Sequence, residues 1–114
     1  MDFIEIFFKL LCVHFIADYP LQPPEMGKYK NKRNIPVPPD SKAKPVNVWI
    51  SYMTAHAFVH AGLATLVVGF PLGLFIGICH WIQDYLKCKY QFSPNLDQGI
   101  HISVLFLVAL MKWI

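Results

Sequence analysis

Charge is what this chain has least of. Asp, Glu, Lys and Arg make up 15% of its 114 residues, and none of them occurs between Val46 and Gln83. An ordinary water-soluble domain spreads charge over its whole surface, so the gap argues against one. A buried helical hairpin inside a soluble bundle is the alternative. It leaves too little charge elsewhere to cover the hairpin. Cysteine is also scarce: Cys12, Cys79 and Cys88 are odd in number and follow no framework spacing, which argues against a secreted disulfide scaffold. Cys79 adjoins His80 and therefore faces elsewhere on a helix. Glycine-rich phosphate loops, serine-nucleophile motifs and nucleic-acid-binding modules are absent from the sequence, so no specific nucleic-acid partner is expected. The start is acidic (Asp2, Glu5), where a cleaved signal peptide would be basic, and none is expected.

What is present is apolar: hydrophobic residues are 55% of the chain. The charge-free stretch is too long for one membrane helix and suits two, since a span needs about 20 residues. Gly69-Phe70-Pro71-Leu72-Gly73 supplies a turn near its middle. A third apolar segment, Gln98 to Met111, ends in the interfacial pattern Lys112-Trp113-Ile114. The first, Phe3 to Tyr19, is the weakest, because it carries Glu5 and Lys9, which are spaced to pair on one helix face. The expected fold is all-α, a four-helix transmembrane bundle in a single domain over 1–114, with helices near 3–19, 47–69, 72–88 and 97–113. Between the first two helices, 20–46 reads as an extended basic loop. It holds seven of the nine prolines (Pro20, Pro23, Pro24, Pro36, Pro38, Pro39, Pro45) together with Lys28, Lys30, Lys32, Arg33, Lys42 and Lys44. The third loop carries Lys87 and Lys89. The positive-inside rule then puts both basic loops in the cytoplasm and both termini outside, in a bacterial inner membrane, with Lys112 as a weak contrary signal.

All five histidines lie four residues from another histidine or an aspartate: His14/Asp18, His56/His60, His80/Asp84 and Asp97/His101. On a helix such residues stand one above the other, so each pair is a two-toothed metal clamp. Three clamps fall next to the basic loops. His56/His60 lies roughly 13–20 Å into the second helix at helical rise, deeper than the rest unless that helix projects from the bilayer. Ionisable groups inside a membrane are costly unless they pair or bind something. Polar glue between helices is the bland reading, and four clamps exceed what glue requires. Five imidazoles and three carboxylates suit two divalent transition-metal ions, zinc first, with iron or manganese as alternatives. Such a pair of ions can activate water and clamp a phosphoryl oxygen, with Asp84 or Asp97 released as base and Lys87 holding an anion at the mouth. Gln22, Gln83 and Gln98 are placed to orient ligands. Lys28, Lys30, Lys32 and Arg33 are placed to gather anionic lipid headgroups or a phosphate-bearing substrate.

The run His14-Phe15-Ile16-Ala17-Asp18-Tyr19-Pro20-Leu21-Gln22, then His56-x-x-x-His60, then His80-Trp81-Ile82-Gln83-Asp84-Tyr85-Leu86-Lys87, then Asp97-Gln98-Gly99-Ile100-His101, resembles an uncharacterised bacterial and phage membrane family, domain of unknown function 3307. The long proline-rich insertion departs from that family's usual spacing. The family is similar, more distantly, to membrane-bound metal-dependent hydrolases. The resemblance implies a four-helix membrane protein and supplies no activity. The expected function is a membrane-embedded dinuclear-metal hydrolase acting on a phosphoester of a lipid or a membrane-proximal nucleotide. The rivals are a non-catalytic metal-stabilised scaffold or interaction subunit, and a metal-ion or proton pathway. Bis-histidine haem would leave the carboxylates without a role. The substrate, the metal and any self-association stay open at this level.

Overall fold

A computed structural model describes residues 1–35 and 47–114. Pro36, Pro38, Pro39, Lys42, Lys44 and Pro45 of the expected loop lie outside the described residues. The rest is all-α: α1 (Phe3–Asp18), α2 (Pro24–Tyr29), α3 (Trp49–Val68), α4 (Phe70–Tyr90) and α5 (Pro94–Trp113). Strands are absent among the described residues.

Local chemistry sets the helix ends. Asp2 caps α1, its carboxylate accepting from Glu5 N–H at 2.8 Å. Glu5 also pairs with Lys9 one turn on, at 3.0 Å, as their spacing predicts. The α3–α4 turn is tighter than expected. Gly69 alone makes it, at φ 87°, a conformation that favours glycine. Pro71 then sits in the first turn of α4, where its missing N–H costs nothing, so α4 begins at Phe70 and not at 72. By the same logic Pro94 opens α5 behind a Ser93 cap, three residues before the expected start at 97. The expected extended loop is also corrected. Pro24 starts the short helix α2, and the five residues that follow it contain no proline to break it.

Helices α1, α3, α4 and α5 form a square. α1 packs on α3 and α5, and α4 packs on α3 and α5, while α2 lies against α3. The closest pairing is α3 with α4. A Cβ added to Gly77 would stand 2.6 Å from Ala61 Cβ, and one added to Gly73 would stand 2.7 Å from Thr65 Cα. These two glycines, four apart, let the backbones touch, as small residues do between membrane helices.

The inner face of each helix divides along its length. Ile6, Leu10, Ala64, Val68, Ile76, Leu105, Val108 and Ala109 form a buried apolar cluster. One or two turns further along the same faces stand His14, His60, His80 and His101. The outer surface is apolar as well: Ile4, Phe8, Phe58, Leu66, Ile78 and Leu107 are all exposed. Helices α3 and α5 are long and apolar enough to cross a membrane. α1 and α4 do not reach that standard. α1 has 16 residues and carries Glu5, Lys9 and Asp18, and the last turns of α4 carry Asp84, Lys87 and Lys89.

Candidate metal centre

α1 and α4 run toward the site and α3 and α5 run away from it, and four clamps from four helices meet at one level. Asp18, the last residue of α1, reaches the middle of the bundle. Its Oδ1 lies 2.8 Å from His60 Nε2 and 3.2 Å from His56 Nε2, and its Oδ2 lies 3.2 Å from His14 Nε2. Asp84 of α4 is the second hub. Its oxygens lie 3.3 Å from His80 Nε2, 3.3 Å from His101 Nε2 and 3.5 Å from His56 Nε2. Asp97 of α5 stands 3.2 Å from His101 Nε2 and 3.1 Å from Lys87 Nζ. The imidazole rings are themselves in contact, with His60 stacked on His80 at 3.5 Å between centroids and His80 on His101 at 4.3 Å.

All eight clamp residues therefore belong to one cluster, including the pair expected to lie deeper unless its helix projects. His56 and His60 are level with Asp18 because α3 extends about two turns past the end of α1, at about 1.5 Å per residue. Nearly all of the cluster is sealed from solvent. His14, His56, His60, His80, His101, Asp84 and Asp97 are all below 5% exposed.

Two overlapping sets can each hold an ion. Asp18, His56, His60 and His80 offer ligand atoms within 4.8 Å of one another, and so do His80, Asp84 and His101. Two observations fit this arrangement. First, the Nε2 atoms of His56, His80 and His101 and the Nδ1 of His56 are buried with no hydrogen-bond partner. A buried polar atom left unpaired costs about 1–3 kcal/mol, and a group bound to these nitrogens would offset that cost. Second, the nitrogens stand 3.2–3.5 Å from carboxylate oxygens without the alignment of a hydrogen bond. Ligands about 2.1 Å from a zinc ion lie about 3.4 Å apart at the tetrahedral angle and about 3.0 Å apart at a right angle. The observed separations fall in the range of the edges of such a polyhedron.

The supporting residues divide. Gln98 bridges α5 to α1, its Oε1 3.0 Å from His14 Nε2 and its Nε2 donating to Asp18 Oδ2 at 3.1 Å. Gln22 donates to the Asp18 carbonyl at 3.1 Å. Gln83 lines a small gap beside His14, His80 and His101. Lys28, Lys32 and Arg33 are exposed, with Lys28 over the Tyr29 ring, Lys32 over Tyr85 and Arg33 donating to the Lys89 carbonyl at 2.9 Å. Lys30 differs from them. The sequence groups it with surface headgroup contacts, yet its Nζ is buried and lies 2.8 Å from Asp84 Oδ2. No periodicity marks it, because it follows α2 in an irregular segment.

On the side of the α1 end and the α5 start, a cavity of about 110 Å³ reaches the cluster. Its walls are Asp18, Tyr19, Gln22, Lys30, Asp84, Lys87, Asp97 and Gln98.

The sequence model of one family, described as Protein of unknown function (DUF3307), matches residues 6–114. No curated protein and no solved structure matches the chain.

Proposed function

This chain belongs to the DUF3307 family, which carries no assigned activity, and we propose from its own site that it is a membrane-embedded dinuclear-metal hydrolase acting on a phosphoester. The observation that carries this reading is the pairing of unpartnered imidazole nitrogens with two carboxylate hubs, Asp84 buried and Asp18 partly so, beside a polar cavity. Asp18, His56 and His60 would hold one ion, and Asp84, His101 and Asp97 the other, with His80 between them. Bound ions would supply an activated water and a clamp for phosphoryl oxygens. The chain's residues do the rest. Gln98 sets the angle of both His14 and Asp18, and Lys87 holds Asp97 in place at the cavity wall. A closed structural site has no such cavity against its ligands, and this favours catalysis over a scaffold. Ligands gathered at one level also disfavour an ion path, which needs groups strung across the bundle.

All four long helices would cross the bilayer in this reading. The exposed apolar belt around every one of them supports it, beyond the two helices that qualify by length and composition. The basic segments before α3 and after α4 would face the bacterial cytoplasm, and the cavity would open there.

The test is metal analysis of protein purified in lipid nanodiscs without chelator. About two transition-metal ions per chain are expected, with hydrolysis of lipid phosphates or nucleotides that chelator abolishes and added metal restores. Protein that binds no metal on reconstitution with zinc, iron or manganese would sink the proposal. Metal without turnover would leave the scaffold reading in its place.

A further inference from the structure

The segment after α2 is fastened beside the cavity, which it reaches through Lys30. Tyr29 lies 6.0 Å from Tyr52, Arg33 bonds the Lys89 carbonyl at 2.9 Å, and Asn47 bonds the Lys32 carbonyl at 3.2 Å. This strap pushes one side chain inward, Lys30, whose Nζ shares the cavity with Lys87 from α4. Each ammonium sits on a different carboxylate, at 2.8 Å from Asp84 and 3.1 Å from Asp97. Burying a long cationic side chain for a contact that the protein could make without it is expensive. Folding alone does not require the arrangement, because a smaller neutral residue there would leave Asp84 to its histidines.

Charge and size narrow what fits. With two divalent ions bound, the three carboxylates and two lysines at the cavity leave a surplus of about three positive charges, with ligating imidazoles neutral. A terminal phosphate dianion and one hydroxide cancel that surplus, whereas a phosphodiester monoanion does not. The cavity of about 110 Å³ holds several waters or one tetrahedral oxyanion, and is too small for a nucleoside. Resting on the hydrolase reading above, we infer that the site binds the terminal phosphate dianion of a phosphomonoester, held between Lys30 and Lys87, with the remainder of the substrate outside the mouth.

Inorganic phosphate is the probe, titrated calorimetrically into zinc-loaded protein in phosphatidylcholine nanodiscs. Wild type should bind one phosphate per chain. Lys30→Gln should weaken it about tenfold or more, the worth of one charge-assisted hydrogen bond, with metal content unchanged. Lys30→Arg should recover part of the affinity. Two further arms compare nanodiscs doped with phosphatidic acid, which has a terminal monoester, against phosphatidylglycerol, a diester. A third arm uses soluble glycerol phosphate. Competition with inorganic phosphate by phosphatidic acid alone assigns a lipid source, and competition by glycerol phosphate assigns a soluble one. Equal competition by phosphatidylglycerol, or an unchanged phosphate affinity in Lys30→Gln, overturns the inference while metal binding still stands. Protein without metal overturns this inference together with the reading on which it rests.

Discussion

At the residue scale, the histidines are not equivalent. His80 lies in both ligand sets and touches His60 and His101 through its ring faces. His14 has its Nε2 committed to Gln98 at 3.0 Å. Substituting His80→Ala should therefore reduce bound metal from about two ions to fewer than one, while His14→Ala should retain most of it. Elemental analysis of both variants, with helical circular dichroism to show that each is folded, decides the ranking. A His14 variant as depleted as the His80 variant would contradict it. Asp97→Ala should also lose metal and should free Lys87, whose Nζ it holds at 3.1 Å.

At the scale of elements, the site depends on how closely α3 and α4 approach. His56 and His60 come from one helix and His80 and Asp84 from the other. Gly73 and Gly77 set the distance between them, since a side chain on either would meet the α3 backbone or Ala61. Gly77→Leu should cost roughly 1–3 kcal/mol by overpacking, read as a lower unfolding midpoint in detergent. Because the helices must part, it should also lower metal retention, although residue 77 touches no ligand. Gly62, which has open space around it, provides the control. Gly62→Ala should leave metal content unchanged and raise stability slightly, by up to about 1 kcal/mol for a helix interior.

At the scale of the molecule, the interior is polar at one end and apolar at the other, and large apolar side chains are exposed on all four long helices. The proposed reading puts lipid against that surface and a bound group inside. In cells the protein should remain in the membrane pellet after alkaline carbonate washing, as an integral protein does. Removing metal from purified protein should lower its thermal midpoint, because an ion that binds only the folded state adds about 2.7 kcal/mol at a hundredfold excess over Kd. A midpoint unmoved by chelator, in protein shown to have lost its ions, would mean that the site carries no folding energy.

The local part of this protein was legible in its sequence. Four clamps, their helical spacing, the apolar spans and the turn at Gly69 all follow from relations between residues within about one helical turn. The helix starts at Phe70 and Pro94 precede the expected 72 and 97 because proline is tolerated in a first turn. Only the tertiary structure decided the rest. It brought His56 and His60 level with Asp18, since the depth of one helix against another depends on packing and not on spacing along either. It split the clamps around two carboxylate hubs, and it moved Lys30 from the surface into the site across 54 positions of sequence, through an irregular segment with no period to read.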